Sequence, residues 1–146
     1  MSTAVEILLV DDNPADTDLA SDVLARSGRD SHVTAVSDGV EAIAFLRREG
    51  RYAEAPPPHL VVLDLNLPRK DGRAVLAEVK ADPVLRTTPI VVFSTSQAGH
   101  DIVGSYALGA NSYVHKPGNL HEFVSSVKSI EEFWFGCARL PREEEP

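Results

Sequence analysis

The chain has 146 residues, with 14 Lys and Arg against 22 Asp and Glu and a formal net charge of −8. This length suits one domain, and 43% hydrophobic with 25% charged residues excludes a largely disordered chain. The acidic surplus argues against nucleic acid and anionic membranes as partners. No apolar run approaches the roughly 18 residues of a membrane span, and the lone Cys137 suits a reducing, cytoplasmic compartment.

The first apolar run, Ile7-Leu8-Leu9-Val10, predicts a buried strand and is followed by Asp11 and Asp12. Asn13-Pro14 then predicts a helix start, with Leu19, Val23 and Leu24 on its inner face and Gly28 as its stop. His32 to Val36 mixes polar and apolar residues, as an edge strand does, and a second helix is predicted from Gly39 to Arg48. Arg51 to Pro58 forms a stiff, proline-rich connector. Leu60-Val61-Val62-Leu63 is the next buried strand, followed by Asp64 and a turn from Asn66 to Gly72. A third helix carries Val75, Leu76 and Val79 and stops before Asp82-Pro83. The strand Ile90-Val91-Val92-Phe93 leads to Ser94 and Thr95, then a weaker helix runs from His100 to Leu108 and ends at Gly109. A last, weak strand, Ser112 to His115, leads to Lys116-Pro117. The final helix begins near Asn119, with Leu120, Phe123, Val124, Val127 and Ile130 as one apolar stripe.

Five strand–helix units in alternation predict an α/β fold: a five-stranded parallel sheet, doubly wound, with helices on both faces. Residues 1–136 form the domain, and 137–146 a tail that is solvated from Pro141 onward.

In such sheets ligands bind beyond the carboxyl ends of the strands. Asp11, Asp12, Asp64, Ser94 and Lys116 all follow strands and collect there. Singly, each has an ordinary explanation: the first two acids favour a helix N-terminus, and Asp64 can open a turn. Together, three carboxylates repel and resist ionisation unless a cation sits among them. Mg²⁺ is the natural one, because it is hard, keeps waters and is held by one or two carboxylates plus a phosphate. A carboxylate in that setting can take a phosphoryl group, with Lys116 and Ser94 facing the phosphoryl oxygens.

These residues resemble the receiver domain of two-component response regulators, over roughly residues 5–130. The resemblance implies the flavodoxin-like strand order 2-1-3-4-5. It also implies Asp64 as phosphoacceptor and Mg²⁺ held by Asp12, Asp64 and the backbone carbonyl of Asn66, with Asp11 acting mostly through water. Ser94 matches the switch hydroxyl, Lys116 the lysine that pairs with the phosphoryl group, and Tyr113 the aromatic that follows activation. Phe45 to Tyr52, Pro56 to Pro58, Asp64 to Gly72 and Glu131 to Phe135 further resemble the small regulators paired with bacterial phytochrome histidine kinases. Ser94 stands where threonine is more usual, and Leu67 and Lys70 where methionine is often found. Small polar Asn66, Thr95 and Ser96 imply that water reaches the acyl phosphate, and so imply autodephosphorylation.

The chain ends soon after the fifth helix, so output is expected as a change of surface, a protein contact or phosphoryl transfer onward. Phe133, Trp134 and Phe135 are consecutive, and neighbours on a helix point about 100° apart, so all three cannot face one core. Either Trp134 continues the stripe with the phenylalanines under the tail, or the aromatics form a homodimer interface, the expectation adopted. His32, His59, His100, His115 and His121 show no metal-ligand spacing. Two other functions fit the chemistry less well: a small Mg²⁺-dependent phosphohydrolase, which would need an Asp-x-Asp pair, and a docking module that is never phosphorylated.

Overall fold

Strands that are apolar on both faces need helices on both sides, and the computed structural model, which describes residues 4–141, has that arrangement. Strands β1 (Val5–Val10), β2 (Ser31–Val36), β3 (Leu60–Leu63), β4 (Ile90–Ser94) and β5 (Ser112–His115) are all parallel, in the order β2-β1-β3-β4-β5. Helices α1 (Pro14–Ala25), α2 (Gly39–Arg47), α3 (Gly72–Ala81), α4 (Gly99–Ala107) and α5 (Leu120–Glu131) alternate with them. The predicted fold and strand order are those observed, with boundaries shifted by a residue at β2, α2, β4 and α4, β1 starting two residues earlier at Val5, and α1 ending at Ala25, ahead of the predicted stop at Gly28.

Because strand side chains alternate, each strand serves two cores. Leu8, Val10, Val61, Leu63 and Val92 face α2 and α3, whose Ile43, Phe45, Val75 and Leu76 complete one core. Ile7, Leu9, Leu60, Val91 and Phe93 face α1 and α5, meeting Val23, Leu24, Phe123, Val127 and Ile130. The side chains of Asn13, Asp38, Asp71 and Asn119 accept first-turn N–H groups at the starts of α1, α2, α3 and α5, which fixes where these helices begin.

Two expectations about the last helix need correction. Leu120 is 68% exposed and leaves the stripe. It is the first helical residue, and its side chain leans toward the helix N-terminus, off the end of the packed face. Beyond α5 the chain continues as a π-type turn, Glu132–Cys137, in which the Ala138 N–H donates to the Phe133 carbonyl at 2.7 Å. This wider turn reduces the angle between consecutive side chains. Trp134 and Phe135 therefore both pack on the α1/α5 core, and only Phe133, 50% exposed, faces solvent. Arg29 locks the turn in place: its Nε donates to buried Glu131 at 2.5 Å, and its guanidinium occupies the space a side chain at Gly136 would need. Leu140 is also buried, so the packed chain continues past residue 136. The predicted tail from 142 onward lies outside the described residues.

Candidate functional site

The sheet register brings the acids together. Val10 pairs with Leu63, so Asp11 and Asp64 leave adjacent strands side by side, where the sheet order turns from β2 to β3 about β1. The Asp64 N–H donates to the Val10 carbonyl at 2.9 Å, and the Asp11 N–H to the Val36 carbonyl at 3.1 Å. On the other side Ser94 pairs with His115, and the next N–H, that of Lys116, donates to the Ser94 carbonyl at 2.7 Å.

The Lys116 side chain is 4% exposed and places its three donors on three carboxylates. Its Nζ lies 2.6 Å from Asp11 Oδ2 and 3.1 Å from both Asp16 Oδ2 and Asp64 Oδ2. Burial works against its charge, but the Asp11 hydrogen bond and the charges of Asp64 and Asp11 outweigh it and hold the ammonium above the usual lysine range. For Asp11 the balance goes the other way: burial raises its carboxyl above the usual range, despite hydrogen bonds from Lys116 and the Asn13 N–H. One buried cation thus stands among more negative charge than it neutralises.

Carboxylate oxygens of Asp11, Asp12 and Asp64 all lie within 4.8 Å of one another, with Asp12 exposed. An all-oxygen donor set, open to water on one side and carrying excess negative charge, fits a hard divalent cation. Asp64 itself is fixed at both oxygens, Oδ1 by the Leu65 N–H at 2.7 Å and Oδ2 by Lys116. The loop after it is clamped from two sides. A Cβ at Gly72 would lie 2.2 Å from the Asp64 carbonyl oxygen, and one at Gly39 would lie 2.0 Å from the Lys70 carbonyl oxygen. Arg69, in the left-handed region at φ 67, donates to buried Asp38 at 3.1 Å and so ties the loop to the start of α2.

Ser94 is fully buried, and its Oγ accepts from the Ser96 N–H at 3.2 Å. Ser96 is a hub. Its carbonyl accepts from the Tyr113 hydroxyl at 2.8 Å, and its own hydroxyl donates to Asp101 at 2.6 Å, which Arg73 of α3 holds at 2.6 Å. Asp11, Asp12, Asp64 and Lys116 therefore meet as predicted, while Ser94 and Tyr113 are joined through Ser96. Asn66 and Thr95 are exposed beside the site. His115 meets Gln97 at 3.0 Å, and among the described residues no histidine belongs to a candidate metal group. Sequence reasoning missed Asp16 and the Arg73–Asp101 pair. An acid five residues after the first of the Asp pair, in the first turn of α1, was the available sign for Asp16.

The response regulator receiver domain model matches residues 7–128. The chain is 45% identical over 135 residues to the response regulator Rcp1 of Synechocystis sp., covering 92% of both proteins. The crystal structure of the phosphorylated cyanobacterial phytochrome response regulator RcpA matches with a TM-score of 0.93 and 51% identity, over 96% of this chain and all of that one. The Mn²⁺-bound form of Rcp1 matches with a TM-score of 0.91 and 44% identity, over 94% of this chain and 99% of that one.

Proposed function

The chain belongs to the response regulator receiver family, and on that premise we propose that it accepts a phosphoryl group on Asp64 from the phosphohistidine of a sensor kinase of the bacterial phytochrome type. The observation that carries this reading is a carboxylate fixed at both oxygens beside a buried lysine and two further acids. The similarity to RcpA and Rcp1 supports the phytochrome pairing.

In the step itself an oxygen of Asp64 attacks phosphorus, the P–N bond breaks, and its electron pair stays on the imidazole. The two hydrogen bonds that hold the Asp64 carboxylate fix its plane for in-line attack. Lys116 neutralises charge on the phosphoryl oxygens, and the Ser94 hydroxyl turns from Ser96 to donate to one of them. Mg²⁺ would be held by Asp11, Asp12, Asp64 and the Asn66 carbonyl, and when bound supplies further positive charge to those oxygens. Movement of Ser94 draws on Ser96, and through it on Tyr113 and α4, which carries the signal to the surface. The chain catalyses its own phosphorylation, and exposed Asn66 and Thr95 let in water, which hydrolyses the acyl phosphate to inorganic phosphate and frees the Asp64 carboxylate. It is a cytoplasmic switch rather than an enzyme with a separate substrate, and its acidity keeps nucleic acid and membranes out of its partner set. A phytochrome-type kinase labelled on histidine is expected to lose its label to this chain faster than unrelated kinases do. Equal rates from all kinases would overturn the pairing.

In the same reading two copies of the chain pair through Phe133, since Trp134 and Phe135 are packed on the core. Phe133 stands edge-to-face on Trp134 and borders a groove lined by Val114 and Ile130 along the open edge of β5. Phe133→Ser is expected to sediment as a monomer where the wild type is a dimer, whereas an unchanged mass would remove Phe133 from the interface.

A further inference from the structure

We infer that Asp16 is a positioning residue for the site: it provides Lys116 with a resting place that lets the lysine release Asp11 and Asp64 when a divalent cation and a phosphoryl group arrive. The inference rests on the proposed reading of Asp64 and goes beyond it.

Two of the three carboxylates that could hold a divalent cation already accept from Lys116. Lys116 Nζ lies 2.6 Å from Asp11 Oδ2 and 3.1 Å from Asp64 Oδ2, and both carboxylates belong to the three-acid group that can hold a metal ion. A buried ammonium pressed against two of the three acids opposes a divalent cation at that place. If Lys116 had only those two partners, a metal that drew both carboxylates to itself before a phosphoryl oxygen could accept from the ammonium would leave a buried charge short of acceptors, a costly state.

Asp16 removes that penalty. Its Oδ2 lies 3.1 Å from the same Nζ, and it stands outside the three-acid group. It comes from the first turn of α1, held where Asn13 caps the helix and accepts the Asp16 N–H at 3.2 Å. Its carboxylate is 26% exposed, so water as well as Lys116 reaches it. Lys116 can therefore pivot about the Asp16 bond and stay neutralised while Asp11 turns to the metal and the phosphorylated Asp64 receives the ammonium on its phosphoryl oxygens. Asp16 touches neither metal nor phosphoryl group and acts only through Lys116.

The test is a double-mutant cycle read by calorimetric titration of Mg²⁺ into the purified chain, without any phosphoryl donor. Asp16→Asn removes the charge and keeps the shape, and is expected to weaken Mg²⁺ binding about three- to tenfold, the scale of one charge-assisted hydrogen bond at a partly exposed position. In the Lys116→Met background the same change is expected to alter binding by less than about twofold, because no lysine remains to be placed. Asp16→Glu, which keeps the charge, is expected to recover most of the affinity. Equal losses in both backgrounds would make Asp16 a through-space charge and overturn the inference, as would no loss in either. If the wild type neither binds Mg²⁺ nor takes label on Asp64, the reading of the site fails. If it does both and Asp16→Asn behaves identically, only the role of Asp16 fails.

Discussion

Gly72→Ala is expected to lower the stability of the protein by about 3 kcal/mol and to slow phosphoryl uptake in the same variant. A Cβ at that position would lie 2.2 Å from the carbonyl oxygen of Asp64 and 2.7 Å from the Cα of Leu65. Both are backbone atoms, so no rotamer change relieves the overlap, and either the start of α3 or the end of β3 must move. Gly72 also donates its N–H to the Leu65 carbonyl at 2.8 Å, a bond that any separation stretches. The cost therefore falls on the segment that orients Asp64, and stability and function are lost together. Gly104, inside α4 with open space where a Cβ would stand, is the control: Gly104→Ala is expected to stabilise by up to about 1 kcal/mol through helix propensity. Urea unfolding midpoints check both, and a Gly72→Ala variant as stable as the wild type would contradict the account of the loop.

Lys116→Met should have the largest effect on the chemistry, cutting the rate of phosphoryl uptake by about 10² to 10³, the scale of losing one preorganised charge from such a site. Its effect on stability depends on pH, and the sign follows from the titration. The ammonium is held above the usual lysine range in the folded state, so its contribution is complete at neutral pH and is lost only as pH rises through that elevated value. Removing it at neutral pH leaves three carboxylates without their cation and is expected to cost about 2–3 kcal/mol, below the usual figure for breaking a buried pair because the acids keep some contact with water. On acidification the difference should shrink. Asp11, already raised by burial, loses the Lys116 hydrogen bond and charge that hold it down, and its protonation relieves the repulsion. Mg²⁺ should also relieve it, so the variant gains more stability from the ion than the wild type does. A deficit that grows as pH falls would contradict this balance.

Most of the architecture was legible because continuous apolar runs and helical stripes have few alternatives in a chain of this length. The site was legible for a related reason: in a parallel sheet the residue after each strand lands on one edge, so the order Asp11, Asp64, Ser94, Lys116 along the chain becomes proximity in space. What escaped lies where local rules give way to geometry. Leu120 obeys the helical spacing yet faces water, because it is the first residue of α5. Trp134 and Phe135 both reach the core because the helix widens into a π-type turn that no spacing rule anticipates. Asp16 has the placing of an ordinary first-turn acid, and the fold brings Lys116, 100 residues away, to donate to it. The Arg73–Asp101 pair joins α3 to α4 and has no periodic signature at all.

On the proposed reading, Asp64 is the group that takes the phosphoryl. The most direct measurement is incubation with a small acyl-phosphate donor and Mg²⁺, followed by reductive trapping of the acyl phosphate and mass analysis of the peptide containing Asp64. One trapped product is expected on Asp64 in the wild type, none without the divalent ion, and none in Asp64→Asn. Trapping at another carboxylate, or an Asp64→Asn variant labelled as fast as the wild type, would contradict that reading.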